Sequence, residues 1–242
     1  MDRLTTLMER FQLSVKMVPL SEANFLAFAG DGGQPEALVF YPQKTAPRTQ
    51  APVVMSARAD WQGNENPFLS ALPEEVDYDL SADGSAQNVV RLICEEAAGG
   101  RCGSQSVVSR LGEVLMVRLL RGQIMRGTAE PGLLAGLADP RLSRAIVAIH
   151  DHPGRDWSNG GLAAEAGLSL SRFTELFAAQ VGETPIGYLR RWRLTLARQD
   201  LMRGDRVEAV ARRYAYSSPE GFSRAFRKEY GVAPISLRSA AA

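Results

Sequence analysis

Two stretches of this 242-residue chain repeat one residue pattern at a constant offset of 49 positions. RFTELFAAQVGETP (172–185) and GFSRAFRKEYGVAP (221–234) share two phenylalanines, a glycine and a proline at matched places. The matched pairs are Phe173 and Phe222, Phe177 and Phe226, Gly182 and Gly231, and Pro185 and Pro234. Phenylalanines four residues apart lie on one face of an α-helix, a glycine suits the left-handed position that ends it, and a proline opens the next helix. The repeat therefore predicts two helices of the same kind.

A short helix and a turn are predicted before each copy. In the first copy, Ser169 is expected to cap the helix that carries the phenylalanines. In the second, Asp205 and Glu208 are expected to cap the short helix, Ala215 stands at the turn where glycine is usual, and Ser218 caps the second helix. Two short helices joined by a tight turn form a helix-turn-helix unit. The intervening IGYLRRWRLTLARQDLMRG (186–204) predicts one continuous connecting helix.

With these features, residues 139–240 resemble the DNA-binding domain of the AraC/XylS transcriptional regulators, and FSRAFRKEYGVAPISLR (222–238) matches the phenylalanine-rich signature of that domain. The resemblance implies that the second helix of each unit enters a major groove, with the connecting helix placing the two units about one DNA turn apart. It also implies which positions read bases: Ser171, Thr174 and Glu175 in the first copy, and Glu220, Ser223 and Arg224 in the second. Arg172, Arg193, Arg227 and Lys228 complete the predicted DNA-binding set.

Two of these residues leave alternatives open. Arg224 suits bidentate hydrogen bonding to guanine O6 and N7, but a phosphate contact is an equal alternative. Glu175 stands where a basic or amide residue is expected, so it either accepts from cytosine N4 or leaves the first unit a weak reader.

Charge is divided unevenly along the chain. From Asp139 to the end there are 16 arginines and lysines against 11 acidic residues, a net of +5, whereas the preceding residues have 12 against 16, a net of −4. A basic half that also contains the repeat indicates a polyanionic partner.

The N-terminal half predicts a small β region followed by helices. FQLSVKMV, FLAFAG, ALVFYP and PVVMSA have strand character, and helical spacing follows in two segments, one around Val89 and Ile93 and one over Val107–Leu120. This order resembles the AraC subgroup with a cupin-like N-terminal domain. We therefore predict an α+β chain, with a cupin-like sensing or dimerisation domain at 1–130 (a β region at 1–65 and a helical region at 66–130) and an all-α tandem helix-turn-helix domain at 139–240. TAEPGLLAGLADP (128–140) is expected to connect the two domains.

Neither a metal nor a cofactor is expected. The only histidines, His150 and His152, are two residues apart and do not share a helical face, so we interpret them as polar residues at a helix end.

Cys94 and Cys102 are either a redox switch or structural residues, and the sequence leaves both interpretations open. The Val107–Leu120 helix is apolar on more than one face, which suits either core packing or a homodimer contact.

These features predict a sequence-specific DNA-binding regulator modulated through its N-terminal domain. The expected partners are double-stranded DNA, a small-molecule or redox effector, a second copy of the chain and, if the protein is an activator, RNA polymerase.

The chain lacks a run of about 18 apolar residues and a signal peptide, which predicts a cytoplasmic protein that does not bind membranes. An enzyme is not expected, because there is no phosphate-binding loop, metal-ligand cluster or nucleophile with a matching base. The alternative is a helix-turn-helix adaptor that binds proteins and has little DNA specificity, favoured by Glu175 and Glu220.

Overall fold

The structure, a computed structural model, describes residues 4–10, 12–61, 69, 72–127 and 131–239. The chain forms two compact units, one of residues 11–128 and the other of residues 129–242 together with the first ten residues. The first helix, α1 (Thr5–Arg10), thus belongs by its contacts to the C-terminal unit, although its sequence lies inside the predicted 1–130 range.

The first unit contains a five-stranded antiparallel sheet in the order β1-β4-β2-β3-β5. Its strands are β1 (Leu13–Met17), β2 (Phe25–Ala29), β3 (Pro35–Phe40), β4 (Val53–Trp61) and β5 (Val76–Asp79), with a 3₁₀ turn at Leu20–Glu22. In β4 every second residue is buried, as expected when one face of a strand meets the core. This alternation explains why the sequence indicates a strand here.

Two helices follow the sheet, α2 (Gly84–Gly99) and α3 (Ser104–Arg126). Helix α3 covers the edge strand β1, because Gln105 Nε2 donates to the Val15 carbonyl oxygen at 2.9 Å and Val15 N donates to Ser109 Oγ at 3.1 Å. A Cβ atom on Gly112 would lie 2.6 Å from the Val15 side chain, so this close approach requires glycine. The helix therefore satisfies the free backbone N–H and carbonyl groups of Val15 on this edge strand.

Helices α4 to α11 form the second unit together with α1. They are α4 (Leu133–Ala138), α5 (Leu142–Asp151), α6 (Asn159–Ala166), α7 (Leu170–Val181), α8 (Pro185–Met202), α9 (Val207–Arg213), α10 (Pro219–Tyr230) and α11 (Pro234–Ser239). Both helix-turn-helix units are present, as α6–α7 and α9–α10. The predicted α+β fold class is confirmed, with a sheet and its helices followed by an all-helical region.

Two local predictions need correction. Strand β5 lies in the region predicted to be helical. The sequence did not indicate this strand, because VDYD is short and has only two residues on its apolar face. The predicted connection TAEPGLLAGLADP contains helix α4, in which Leu133 to Leu137 are all buried, so its glycines and proline do not mark an exposed linker. Ahead of α5, which begins at Leu142, the Asp139 carboxylate accepts from the backbone N atoms of Arg141 and Leu142.

Candidate nucleic-acid interface

The second helices of the two units, α7 and α10, are built alike. Phe173, Phe177, Phe222 and Phe226 are all fully buried, and the ring centroids of each pair lie 5.5 Å apart. Each helix is capped by a serine, since Ser169 Oγ accepts from Arg172 N at 3.4 Å and Ser218 Oγ accepts from Gly221 N at 3.0 Å. Each also ends at a left-handed glycine, Gly182 with φ 85° and Gly231 with φ 73°. The predicted repeat of anchors and caps is confirmed.

The first helices and turns are related by 48 residues instead of 49. Leu168 N donates to the Ala163 carbonyl, and Tyr216 N donates to the Ala211 carbonyl, so the two turns are equivalent. The second unit therefore has one additional residue between its turn and its second helix. The left-handed position of the turn is Gly167, φ 67°, in the first unit and Ala215, φ 57°, in the second. Ala215 therefore occupies the glycine position, as the sequence indicates.

The capping pair expected for α9 is not formed. Arg206 is the N-cap residue and makes no side-chain cap, while Asp205 accepts from Arg213 Nη1 at 2.6 Å. Because Arg213 attracts this carboxylate, Asp205 joins a larger network described below instead of bonding to the first turn of α9.

Helix α8 connects the two units without a break. Thr184 Oγ1 caps it by accepting from Gly187 N at 3.2 Å, and Pro185 is its first residue. Its 18 residues correspond to roughly 27 Å at 1.5 Å per residue. Both α7 and α10 pack against it, so it holds the two units in a fixed relation.

The outer face of α7 carries the four predicted contact residues of the first copy. Ser171, Arg172 and Glu175 are exposed, and Thr174 is half-buried with its hydroxyl donating to the carbonyls of Leu170 and Ser171. Arg172 Nη1 donates to Glu175 Oε2 at 3.0 Å. The face therefore presents an ion pair instead of isolated charges.

The outer face of α10 carries the corresponding residues of the second copy. Glu220, Arg224, Arg227 and Lys228 are exposed, and Ser223 is half-buried. These residues line a groove of about 680 Å³ that continues to Val207 on α9 and to Ile235 on α11. The polar residues named here share one face of the helix, opposite the buried phenylalanines.

Arg193 was predicted to contact DNA, but its guanidinium is bonded to backbone carbonyls of its own domain. Its Nε donates to the Pro153 carbonyl and its Nη2 to the Arg155 carbonyl, each at 2.7 Å. Partial burial lowers the pKa of this guanidinium. Arg193 is therefore used inside the domain, where it fastens the segment between α5 and α6 to α8, and a sequence pattern gives no sign of this because arginine is usual on a solvated helix face.

A buried carboxylate joins α8 to α9, and sequence reasoning did not predict it. Asp200 accepts from Arg203 and Arg213 and from the Tyr214 hydroxyl, the last at 2.8 Å. Its side chain is only 3% exposed. Hydrogen bonds to Asp205 and Asp200 raise the pKa of Arg213, and burial with the neighbouring Asp200 raises the pKa of Tyr214. The signal available in the sequence was an aspartate on the apolar face of the connecting helix.

His150 is also not a surface residue at a helix end. It is 1% exposed, stacks on Trp192 at 4.1 Å between centroids, and shares a 2.5 Å hydrogen bond with the Tyr188 hydroxyl. Burial lowers its pKa to about 3, so the imidazole is neutral. His152 is exposed, as expected for the end of α5. Among the described residues, no three His, Cys, Asp or Glu side chains are grouped as metal ligands would be.

The two cysteines are in different surroundings. The Cys94 thiol donates to the Val54 carbonyl at 3.3 Å, and burial raises its pKa, which favours the unreactive protonated form. Cys102 is exposed, and the neighbouring Arg101 pairs with Glu96 at 3.0 Å. In the portion of the chain that is described, no helix is both long and apolar enough to span a membrane.

A tandem helix-turn-helix unit following a sheet domain with two helices defines a class of two-domain regulators, and comparisons with known proteins agree. A model described as a helix-turn-helix domain matches residues 162–240, and a model described as cupin matches residues 15–125. The chain belongs to the AraC family of transcriptional regulators and has a cupin N-terminal domain.

Individual relatives are moderately similar. A putative AraC-like transcription regulator of Streptomyces lividans is 34% identical over 175 residues, which are 71% of this chain and 58% of that protein. The RCS-specific transcriptional activator RclR of Escherichia coli is 26% identical over 216 residues, 85% of this chain and 76% of that protein. A solved AraC-type regulator from Chromobacterium violaceum is 24% identical over 43% of this chain and 95% of that one, with a TM-score of 0.41. The match thus spans little more than half the length of the Streptomyces relative.

Proposed function

We propose that this protein is a sequence-specific DNA-binding transcriptional regulator that reads two successive major grooves with α7 and α10. The observation that carries the proposal is the identical construction of these two helices, each held by two buried phenylalanines and presenting a polar outer face. A major groove of B-DNA admits one α-helix, and a connecting helix of roughly 27 Å spans most of one DNA turn. We call α7 and α10 the recognition helices.

Charge supports a nucleic-acid partner for this half of the chain. The segment from Asp139 to the end has a net charge of +5. Arg227 and Lys228 follow the base-reading positions on α10 and are exposed, so they are suited to phosphate contacts that place the helix without reading sequence.

The cupin domain is proposed to modulate this activity. The name of RclR describes that relative as an activator; we propose activation for this chain as well, with RNA polymerase as a further partner and the cytoplasm as its location. A small-molecule effector fits the cupin domain better than a redox switch at Cys94, because burial raises the pKa of the Cys94 thiol. We propose that the protein is not an enzyme, because the family to which it belongs consists of transcriptional regulators. The adaptor alternative has no support among the relatives, which are named as transcriptional regulators.

The test is selection of bound fragments from a genomic DNA library with the full-length protein, followed by footprinting. We expect protection of two adjacent major grooves per chain and a loss of affinity by orders of magnitude between about 50 and 200 mM salt. Arg224→Ala is expected to change the selected sequence, whereas Lys228→Ala weakens binding to specific and random DNA alike. Equal losses on both kinds of DNA for Arg224→Ala would assign Arg224 to phosphate. Failure to enrich any sequence would contradict the proposal.

A further inference from the structure

The two recognition helices carry opposite charges at the same place. Glu175 on α7 and Arg224 on α10 are related by the 49-residue offset, and both are exposed on the outer face. Since the anchors and caps of the two helices match, these side chains leave their helices at equivalent points. A carboxylate only accepts and a guanidinium only donates, so the two side chains cannot make the same contact with DNA at this place.

The negative charge of Glu175 is not isolated on α7. Arg172, one helical turn earlier, donates to it at 3.0 Å, and the two side chains remain 55% and 71% exposed. The position equivalent to Arg172 on α10 is Gly221, so only the first recognition helix holds an ion pair there. The bond to Glu175 uses Nη1 of a guanidinium that has five N–H donors, and the Arg172 side chain is exposed, so further donors remain available to a ligand.

An ion pair of this geometry matches the major-groove edge of one base pair. In a G·C pair, the cytosine N4 amino group is a donor and guanine O6 and N7 are acceptors. N4 and O6 are themselves joined by a hydrogen bond of about 2.9 Å, close to the separation of the two side-chain atoms. The carboxylate would accept from N4 while the guanidinium donates to O6 and N7.

An A·T pair fits this arrangement less well. It also offers an amino donor beside a carbonyl acceptor, but the thymine methyl group lies next to that acceptor. A guanidinium placed there would lose its second acceptor and contact a methyl group instead. The pair of side chains therefore discriminates in favour of G·C.

We infer that Arg172 and Glu175 act together as one base-pair reader, through which the first helix-turn-helix unit selects a G·C pair, with cytosine facing Glu175 and guanine facing Arg172. The inference rests on the proposed function, because it requires α7 to lie in a major groove. It assigns the first unit a specificity of its own instead of a weak supporting role.

The experiment measures affinities of the full-length protein for its selected site, for single base-pair variants of that site and for random DNA. Glu175→Gln is expected to lower the preference for one G·C pair by about five- to 150-fold. Its affinity for random DNA should rise, because a negative charge is removed from a surface that lies against a polyanion. Arg172→Lys should lose the preference at the same pair while random binding changes little, since lysine keeps the charge but not the planar donors. Arg224→Ala should act about one DNA turn away, and Glu165→Gln, a matched charge change outside the recognition helix, should alter no preference.

Each outcome bears on the inference. If Glu175→Gln raises affinity for all sequences equally, Glu175 is only a solvated charge and the inference is wrong. If Glu175→Gln and Arg172→Lys affect different base pairs, the two residues read separately and the joint reader is refuted. In both cases the wild-type protein still selects a sequence, so the proposed function stands. Absence of any selected sequence would instead remove the function and the inference together.

Discussion

Ala215 is a residue whose backbone does not suit its side chain. It has a positive φ of 57°, and the equivalent residue of the first unit is Gly167. The left-handed conformation costs an L-residue roughly 1–2 kcal/mol, and glycine avoids this cost while gaining freedom in the unfolded chain.

We expect Ala215→Gly to raise the free energy of unfolding by about 1 kcal/mol. Urea denaturation of the full chain measures this change. Ala164→Gly is the matched control, because Ala164 lies exposed inside α6, where the same substitution should destabilise by about 1 kcal/mol. A destabilised Ala215→Gly variant would contradict the strain at this turn.

His150 links stability to pH through its burial. The folded protein keeps the imidazole neutral down to about pH 3, whereas the unfolded chain protonates it near its ordinary pKa of 6.5. Between these two pKa values the unfolded state binds the additional proton, so stability falls as pH is lowered from 6.5.

Between pH 7.5 and 5.0, this single group should remove about 2 kcal/mol from the free energy of unfolding. Urea titrations at several pH values should therefore give a smaller decrease for His150→Gln than for the wild type. His152→Gln, which replaces the exposed histidine beside it, should keep the wild-type pH dependence. Parallel curves for the wild type and His150→Gln would show that the imidazole is not kept neutral.

At the scale of elements, local sequence rules predicted the repeated helices well. Phenylalanine spacing, serine caps and closing glycines act within one helix, so Ser169, Ser218 and Gly231 could be assigned correctly from neighbouring residues alone. Contacts across elements could not be assigned in this way. The partners of Arg193 lie about 40 positions away, and Asp200 meets Arg213 only after α9 has folded back.

The Asp200 network holds the second unit against the connecting helix, and its loss should be costly. We expect Asp200→Asn to lower the free energy of unfolding by about 2 kcal/mol, because Arg213 and Tyr214 lose a buried anionic acceptor. Asp205→Asn is the control, since Asp205 bonds to the same Arg213 but its side chain is 38% exposed; its expected cost is below about 1 kcal/mol.

Chemical denaturation and footprinting together check this prediction. The Asp200→Asn variant should keep protection at the groove bound by α7 and lose it preferentially at the groove bound by α10. Equal costs for the two substitutions would mean that burial of Asp200 adds nothing to the network.

The whole molecule divides its charge between its two halves. The basic C-terminal half carries the proposed DNA-binding face, while the residues before Asp139 have a net charge of −4. An acidic regulatory domain is repelled by phosphates, which leaves the recognition helices as the favoured DNA-binding surface. The sequence predicted this division, but not that α1 belongs with the C-terminal unit, because six residues of ordinary amphipathic sequence do not specify a partner.

Oligomeric state is the property of the whole molecule that we expect to depend on helix α3. Val107 and Val114, two turns apart on one face, are 37% and 43% exposed, while Leu115 and Leu119 fill the core. We expect the protein to be a dimer through this face at micromolar concentration, so sedimentation should give the mass of two chains. Val114→Asp should give a single folded chain whose Tm does not depend on protein concentration, because a site that is exposed in the monomer tolerates charge and dimerisation no longer adds stability. Leu92→Asp, at a residue of α2 with nearly the same exposure, should remain dimeric. A monomeric wild type, or a dimeric Val114→Asp variant, would show that this face does not join two chains.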